Sequence, residues 1–297
     1  MRARLTRLTV ALSLALPLAA CDIIKDTISP TSPTTAGPPA AGAAVSYTAM
    51  GASDALGIGG SVECQIFQPC DNGTGYVPRL VRDLRAQPHE VTHVNLGIPA
   101  AVLSPAIQTI ARNHGREVPG NFIDHELAFL SPGATLVTVF GGGNDANGLG
   151  AALRQGAHGN DLTGYIDTQI RAYGADFDRL VSGIKSRASS AFIVIINLPN
   201  LAALPYAANL PLPERQALQR IAVGFSKEAN RQAGRGVVVL DLMCDAGVYE
   251  RSRISSDGFH PNDAGYQYLE QRVLALVNGA SSTPAATCSQ MQVVTPL

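Results

Sequence analysis

From position 192 to 196 the chain reads Phe-Ile-Val-Ile-Ile, five apolar residues in a row with no polar residue alternating between them. Successive side chains of a strand point to opposite faces, so such a run is stable only where both faces are covered. Five runs read as strands, Val45 to Met50, Val91 to Leu96, Thr135 to Phe140, Phe192 to Leu198 and Val237 to Leu242. Helix-like stretches fall at Tyr76 to Ala86, Ser104 to His114, Leu162 to Arg187, Leu212 to Ala233 and Pro261 to Val277, the last with proline read as its first helical residue. Strands that alternate with helices and are buried on both faces imply an α/β chain with a parallel sheet between helix layers. No internal repeat interrupts this order.

The N-terminus is of another kind. Arg2, Arg4 and Arg7 precede an apolar run from Leu8 to Ala20, followed by Cys21, which matches the charged, apolar and small-residue regions of a signal peptide over residues 1–20. Nowhere do about 18 apolar residues follow one another, so a spanning helix is not expected. Ser29 to Ala44 is nearly all Ser, Thr, Pro, Ala and Gly and cannot bury enough apolar surface to fold, so residues 21–44 read as a tether. The folded domain is expected over 45–279 and a polar tail, ordered only through Cys288, over 280–297. With 22 Lys+Arg against 23 Asp+Glu there is no cationic surplus for a phosphate backbone, and removing residues 1–20 takes away three arginines and no acid. Nucleic acid is not an expected partner.

Leu18-Ala19-Ala20-Cys21 resembles the lipobox of bacterial lipoproteins, which implies a lipidated Cys21 and a membrane anchor in the cell envelope. Four cysteines then remain, an even number suited to an oxidising compartment. They permit three connectivities. The favoured one joins Cys64 to Cys70 across a short loop and Cys244 to Cys288, pinning the tail. No CxxC spacing is present, and no metal site is expected.

In open parallel sheets functional groups collect at the carboxyl ends of the strands. Gly51-Ala52-Ser53-Asp54 follows the first run and Asn95-Leu96-Gly97-Ile98-Pro99-Ala100 the second. Gly141-Gly142-Gly143-Asn144-Asp145 follows the third; it lacks the lysine and the glycine spacing of nucleotide loops, and Asn144 offers a neutral amide donor. Asp257-Gly258-Phe259-His260-Pro261 places a carboxylate three residues before a histidine, and Pro261 disfavours helix at His260. His89, His93, His114, His125 and His158 read as structural or solvated, and Asp54, Asp145 and Asn147 as turn formers. The loop from Leu198 to Leu212, with Tyr206, is a candidate acyl-pocket lining or simply a core-packing segment.

Together these blocks resemble the SGNH hydrolase family, also called GDSL esterases and lipases, over roughly residues 45 to 278. The resemblance implies a three-layer α/β/α sandwich around a five-stranded parallel, flavodoxin-like sheet. It also implies a serine ester hydrolase with Ser53 as nucleophile, His260 as general base and Asp257 orienting it. The oxyanion hole would be the N–H groups of Ser53 and Ala100 with the Asn144 amide. No cofactor is implied, and the substrate would be a small-molecule or lipid ester. Two departures stand out: Gly-Asp-Ser is here Gly-Ala-Ser, and the glycine ending the second block is Ala100. Alanine serves there if the position does not require positive φ, with Gly97 as the fallback donor. An O-acetyl polysaccharide esterase, an acyltransferase and a silent binding lipoprotein are the alternatives.

Overall fold

A computed structural model describes residues 36–234 and 236–297; the expected signal segment and Cys21 lie outside the described residues. The elements are β1 (Val45–Gly51), α1 (Tyr76–Ala86), β2 (Val91–Asn95), α2 (Pro105–Asn113), β3 (Leu136–Phe140) and α3 (Gly143–Arg154). They continue with α4 (Leu162–Arg187), β4 (Phe192–Ile196), α5 (Leu212–Asn230), β5 (Val237–Leu240) and α6 (Asp263–Val277). All four strand pairings are parallel, in the order β2-β1-β3-β4-β5. The chain leaves β1 for one neighbour and returns on its other side as β3, which opens a crevice at the carboxyl ends of these two strands. Gly51 stands opposite Phe140 at that end.

The consecutive apolar runs divide their residues between two cores. Phe192, Val194 and Ile196 of β4 join Leu80 of α1 and Leu269 of α6, while Ile193 and Ile195 join Ile184 of α4 and Ile221 of α5. Each fully buried aliphatic side chain contributes about 1.5–3 kcal/mol. Thr138, in the middle of β3, is a buried polar residue, and its hydroxyl is satisfied by the Tyr47 hydroxyl at 2.8 Å and by Tyr76 at 3.4 Å. The edge strand β2 departs from the expectation of two covered faces: Thr92 and Val94 are exposed, since an edge strand has one neighbour and this face is not overlaid.

Three further differences have local causes. The last helix begins at Asp263, not Pro261, because Asn262 caps it by accepting from the N–H groups of Ala264 and Gly265 at 3.0 and 3.1 Å. A helix not expected from sequence, α3, grows directly from the glycine turn. It lies tight against α2, where a Cβ on Gly148 would stand 2.8 Å from the Ala111 Cβ, so only glycine permits the approach. The tail is held by more than Cys288. Met291 and Val294 are buried, and the Gln219 side-chain amide bonds the main chain of Val294 twice, at 2.8 and 3.1 Å. The disulfides are Cys64–Cys70 and Cys244–Cys288.

Candidate active site

Ser53 opens a short 3-10 turn, Ser53–Leu56, immediately beyond β1. Gly51 makes the turn possible, since a Cβ there would lie 2.9 Å from the Ala55 Cβ and 3.1 Å from the Phe140 carbonyl. The same turn is tied to the end of β2, where the Asn95 amide donates to the Ala55 carbonyl at 2.7 Å and its oxygen accepts from Gly97 N–H at 3.0 Å. Ser53 is therefore buried down to 7% exposure but fixed in position.

The loop before α6 reaches over to it. Ser53 Oγ lies 2.8 Å from His260 Nε2, and His260 Nδ1 lies 2.6 Å from Asp257 Oδ2. Asp257 Oδ1 accepts three more hydrogen bonds, from the Ser255 hydroxyl at 2.6 Å and from the N–H groups of Phe259 and His260 at 2.8 and 3.0 Å. Burial pushes this carboxyl up, but the bonds from His260, Ser255 and the main chain outweigh it and hold it well below the usual carboxylate range. A permanently ionised Asp257 facing Nδ1 favours the tautomer with its proton there, which leaves Nε2 free to accept from Ser53.

Asn144 is the second residue of α3, and its amide donates to the Ala101 carbonyl at 3.0 Å, which uses one of its two N–H bonds. Asp145, next in line, accepts from Leu103 N–H at 2.9 Å. Two successive side chains of α3 thus clamp the loop that follows β2. Asp145 is not a turn former as sequence suggested. It is fully buried, its second oxygen has no partner among the described residues, and burial, only partly offset by the Leu103 bond, raises its carboxyl to about 7. Glu126 plays a similar part on the other side and was not singled out from sequence at all. It accepts from Gly51 N–H at 2.9 Å, and burial lifts its carboxyl well above the ordinary range. Asp54 is likewise pushed up by burial, against the pull of His260.

Ala100 overturns the condition placed on it. Its φ is +60°, so the position does require the left-handed region, and alanine occupies it at a cost of about 1–2 kcal/mol. Its N–H donates to no group among the described residues, whereas the fallback, Gly97 N–H, is already engaged by Asn95.

Of the remaining histidines, His89 and His114 place Nδ1 on the carbonyls of Ala43 and Ile110, and His125 Nδ1 accepts from Asn121 N–H. The loop after β4 is shared between two spaces. Leu198, Leu201 and Leu204 line a small cavity of about 70 Å³ beside Asp54 and Asn144, while Tyr206 and Leu210 line a larger groove.

A doubly wound parallel sheet with a serine, a histidine and a carboxylate in hydrogen-bond line at its switch point defines the α/β serine hydrolases. The model of the GDSL-like lipase/acylhydrolase family matches residues 46–268, so the chain belongs to that family and is an ester-hydrolysing serine hydrolase. An extracellular lipase from Streptomyces rimosus shares its fold at 18% identity and TM-score 0.53, covering 78% of this chain and 100% of the lipase. A lipase from a goat rumen metagenome does so at 19% identity and TM-score 0.51, covering 78% and 97%. A search of curated proteins finds no match.

Proposed function

We propose that the chain is an envelope-anchored carboxylic-ester hydrolase working through Ser53, His260 and Asp257. The observation that carries this reading is the unbroken line from Ser53 Oγ through His260 to Asp257, at 2.8 and 2.6 Å. His260 Nε2 takes the hydroxyl proton as Ser53 Oγ bonds to the acyl carbon, and the carbonyl π electrons move onto oxygen. That oxyanion is met by the N–H groups of Ser53 and Ala100 and by the free N–H of the Asn144 amide. The C–O bond to the alcohol breaks as His260 returns the proton to the leaving oxygen. Water, deprotonated by the same nitrogen, then releases the acid and restores Ser53.

The unengaged N–H of Ala100 supports it over Gly97 as the main-chain donor. The missing aspartate before the nucleophile leaves Ala52 in its place, and the serine turn is still held by Gly51, Asn95 and Glu126, which favours an enzyme over a silent binding protein. Lipidation at Cys21, with residues 21–44 as a tether, would keep this domain near a membrane. Its mark would be a diacylglyceryl thioether mass on Cys21 that Cys21→Ser lacks.

A panel of nitrophenyl esters of rising chain length, run beside acetylated xylan, tests the reading. Hydrolysis by wild type and its loss in Ser53→Ala are expected; a folded wild-type protein that cleaves nothing in the panel contradicts it. Release of acetate from xylan with poor nitrophenyl ester cleavage would favour the O-acetyl esterase alternative.

A further inference from the structure

Beyond the Phe259 ring lies a groove of about 680 Å³ between α3 and α5. It is joined to the site by an unbroken stack. Phe259 packs edge-on against His260 at 4.9 Å, Tyr206 packs edge-on against Phe259 at 5.0 Å, and the Tyr206 hydroxyl donates to Asn147 Oδ1 at 3.4 Å. Asn147 stands one helical turn beyond Asn144, so the groove begins where the oxyanion end of α3 leaves off. Its walls are aliphatic, including Leu153, Leu162, Leu210, Leu218 and Ile221.

Its charged groups are Arg116, Arg154 and Glu214, with the His158 imidazole beside them. Arg154 and Glu214 pair at 3.4 Å. The Arg116 guanidinium is exposed and, among the described residues, has no ion-pair partner, and its charge acts on the Tyr206 hydroxyl in opposition to burial. His158 Nδ1 is also buried in the wall without a partner. An apolar trough with one uncompensated guanidinium at its rim matches an apolar arm that ends in an anion, because guanidinium presents paired donors to carboxylate, phosphate or sulfate.

We infer that this groove receives one arm of the ester substrate and that Arg116 selects arms bearing a terminal anionic group. The inference rests on the ester-hydrolase reading above. It makes Arg116 a specificity-determining residue and has no bearing on the chemical step. The anion can lie on the acyl or on the alcohol side of the ester, and matched substrates separate the two.

The acyl pair is 4-nitrophenyl octanoate against the 4-nitrophenyl monoester of suberic acid, of equal length with a terminal carboxylate. The alcohol pair is octyl acetate against the acetate ester of 8-hydroxyoctanoic acid. In one of the pairs, wild-type kcat/KM should favour the charged member by about five-fold, the scale of a partly exposed ion pair. Arg116→Gln should bring that ratio down to the wild-type value at about 1 M salt, where charges are screened within about 3 Å. Gly150→Phe fills the groove from α3, where the neighbour in front of a Cβ is the Arg154 guanidinium at 3.6 Å, and should lower the octanoate-to-acetate ratio. A preference for the neutral member in both pairs, a ratio unmoved by Arg116→Gln, or a chain-length ratio unmoved by Gly150→Phe would overturn the inference. Failure to hydrolyse any ester would instead bring down the ester-hydrolase reading on which it rests.

Discussion

Asp257 holds His260 at two points with its two oxygens: Oδ2 meets the imidazole Nδ1 at 2.6 Å, and Oδ1 accepts from the histidine's own main-chain N–H at 3.0 Å. The carboxylate thereby fixes the backbone of the Asp-x-x-His turn as well as the ring. Asp257→Asn keeps an oxygen for the main-chain donors and Ser255 but replaces the acceptor of Nδ1 with a donor. It should fold and yet lose kcat, by up to about 10⁴-fold. A thermal melt beside steady-state kinetics checks this; wild-type kcat in a folded variant would show that the carboxylate only shapes the turn.

Asn144 is expected to act on the barrier. A donor that strengthens its bond as the carbonyl becomes tetrahedral loses roughly 10² to 10³ in kcat on removal, about 2.7–4 kcal/mol, with KM little changed. Asn144→Ala also removes the bond to the Ala101 carbonyl, worth about 1 kcal/mol of stability. A large fall in melting temperature with near-normal kcat would make Asn144 a loop clamp only.

Ala100 at φ +60° sits where glycine fits without strain. Ala100→Gly relieves about 1–2 kcal/mol in the folded chain and costs about 0.4–1 kcal/mol through the freer unfolded chain. The melting temperature should hold or rise slightly, and kcat should stay within a few-fold because the N–H is retained. Destabilisation beyond about 1 kcal/mol would contradict the strain at this residue.

Asp145 makes stability depend on pH in a defined direction. The folded chain keeps this proton up to about pH 7, while the unfolded chain releases it near the ordinary aspartate value of 3.8. Between those values the unfolded state binds fewer protons, so the contribution favours folding at the acid end and is lost as pH rises, by at most about 1.4 kcal/mol per pH unit. Asp145→Asn mimics the neutral acid and can still accept from Leu103. Its stability relative to wild type should grow from pH 4 to 7 and level off above; denaturant unfolding at several pH values reads this, and a flat difference would contradict it.

The sheet and the Ser53, Asn144 and Asp257/His260 positions were legible because each depends on a local pattern. Phe192–Ile196 has apolar residues in every position, and Asp-x-x-His-Pro closes within one turn. What escaped depends on distant neighbours. The run Gly-Asn-Asp-Ala-Asn-Gly over 143–148 has low helix propensity, yet α3 forms there because Gly148 lets it lie on Ala111. Glu126 and Asp145 look like surface charges in sequence, and only the fold shows them buried against Gly51 and Leu103. The left-handed backbone at Ala100 has no signature in an alanine; the glycine expected at that place in the family pattern was the one signal available. Met291 and Val294 lie among polar residues, and the matching amide on Gln219 is 75 positions from Val294.

The central claim is that Ser53 is the nucleophile activated by His260, and covalent labelling tests it most directly. A fluorophosphonate probe, followed by peptide mass spectrometry, should add its phosphonyl mass to Ser53 alone, and the labelling should fall sharply in His260→Ala. No adduct on folded wild-type protein, or an adduct on another serine that persists in Ser53→Ala, would contradict the account.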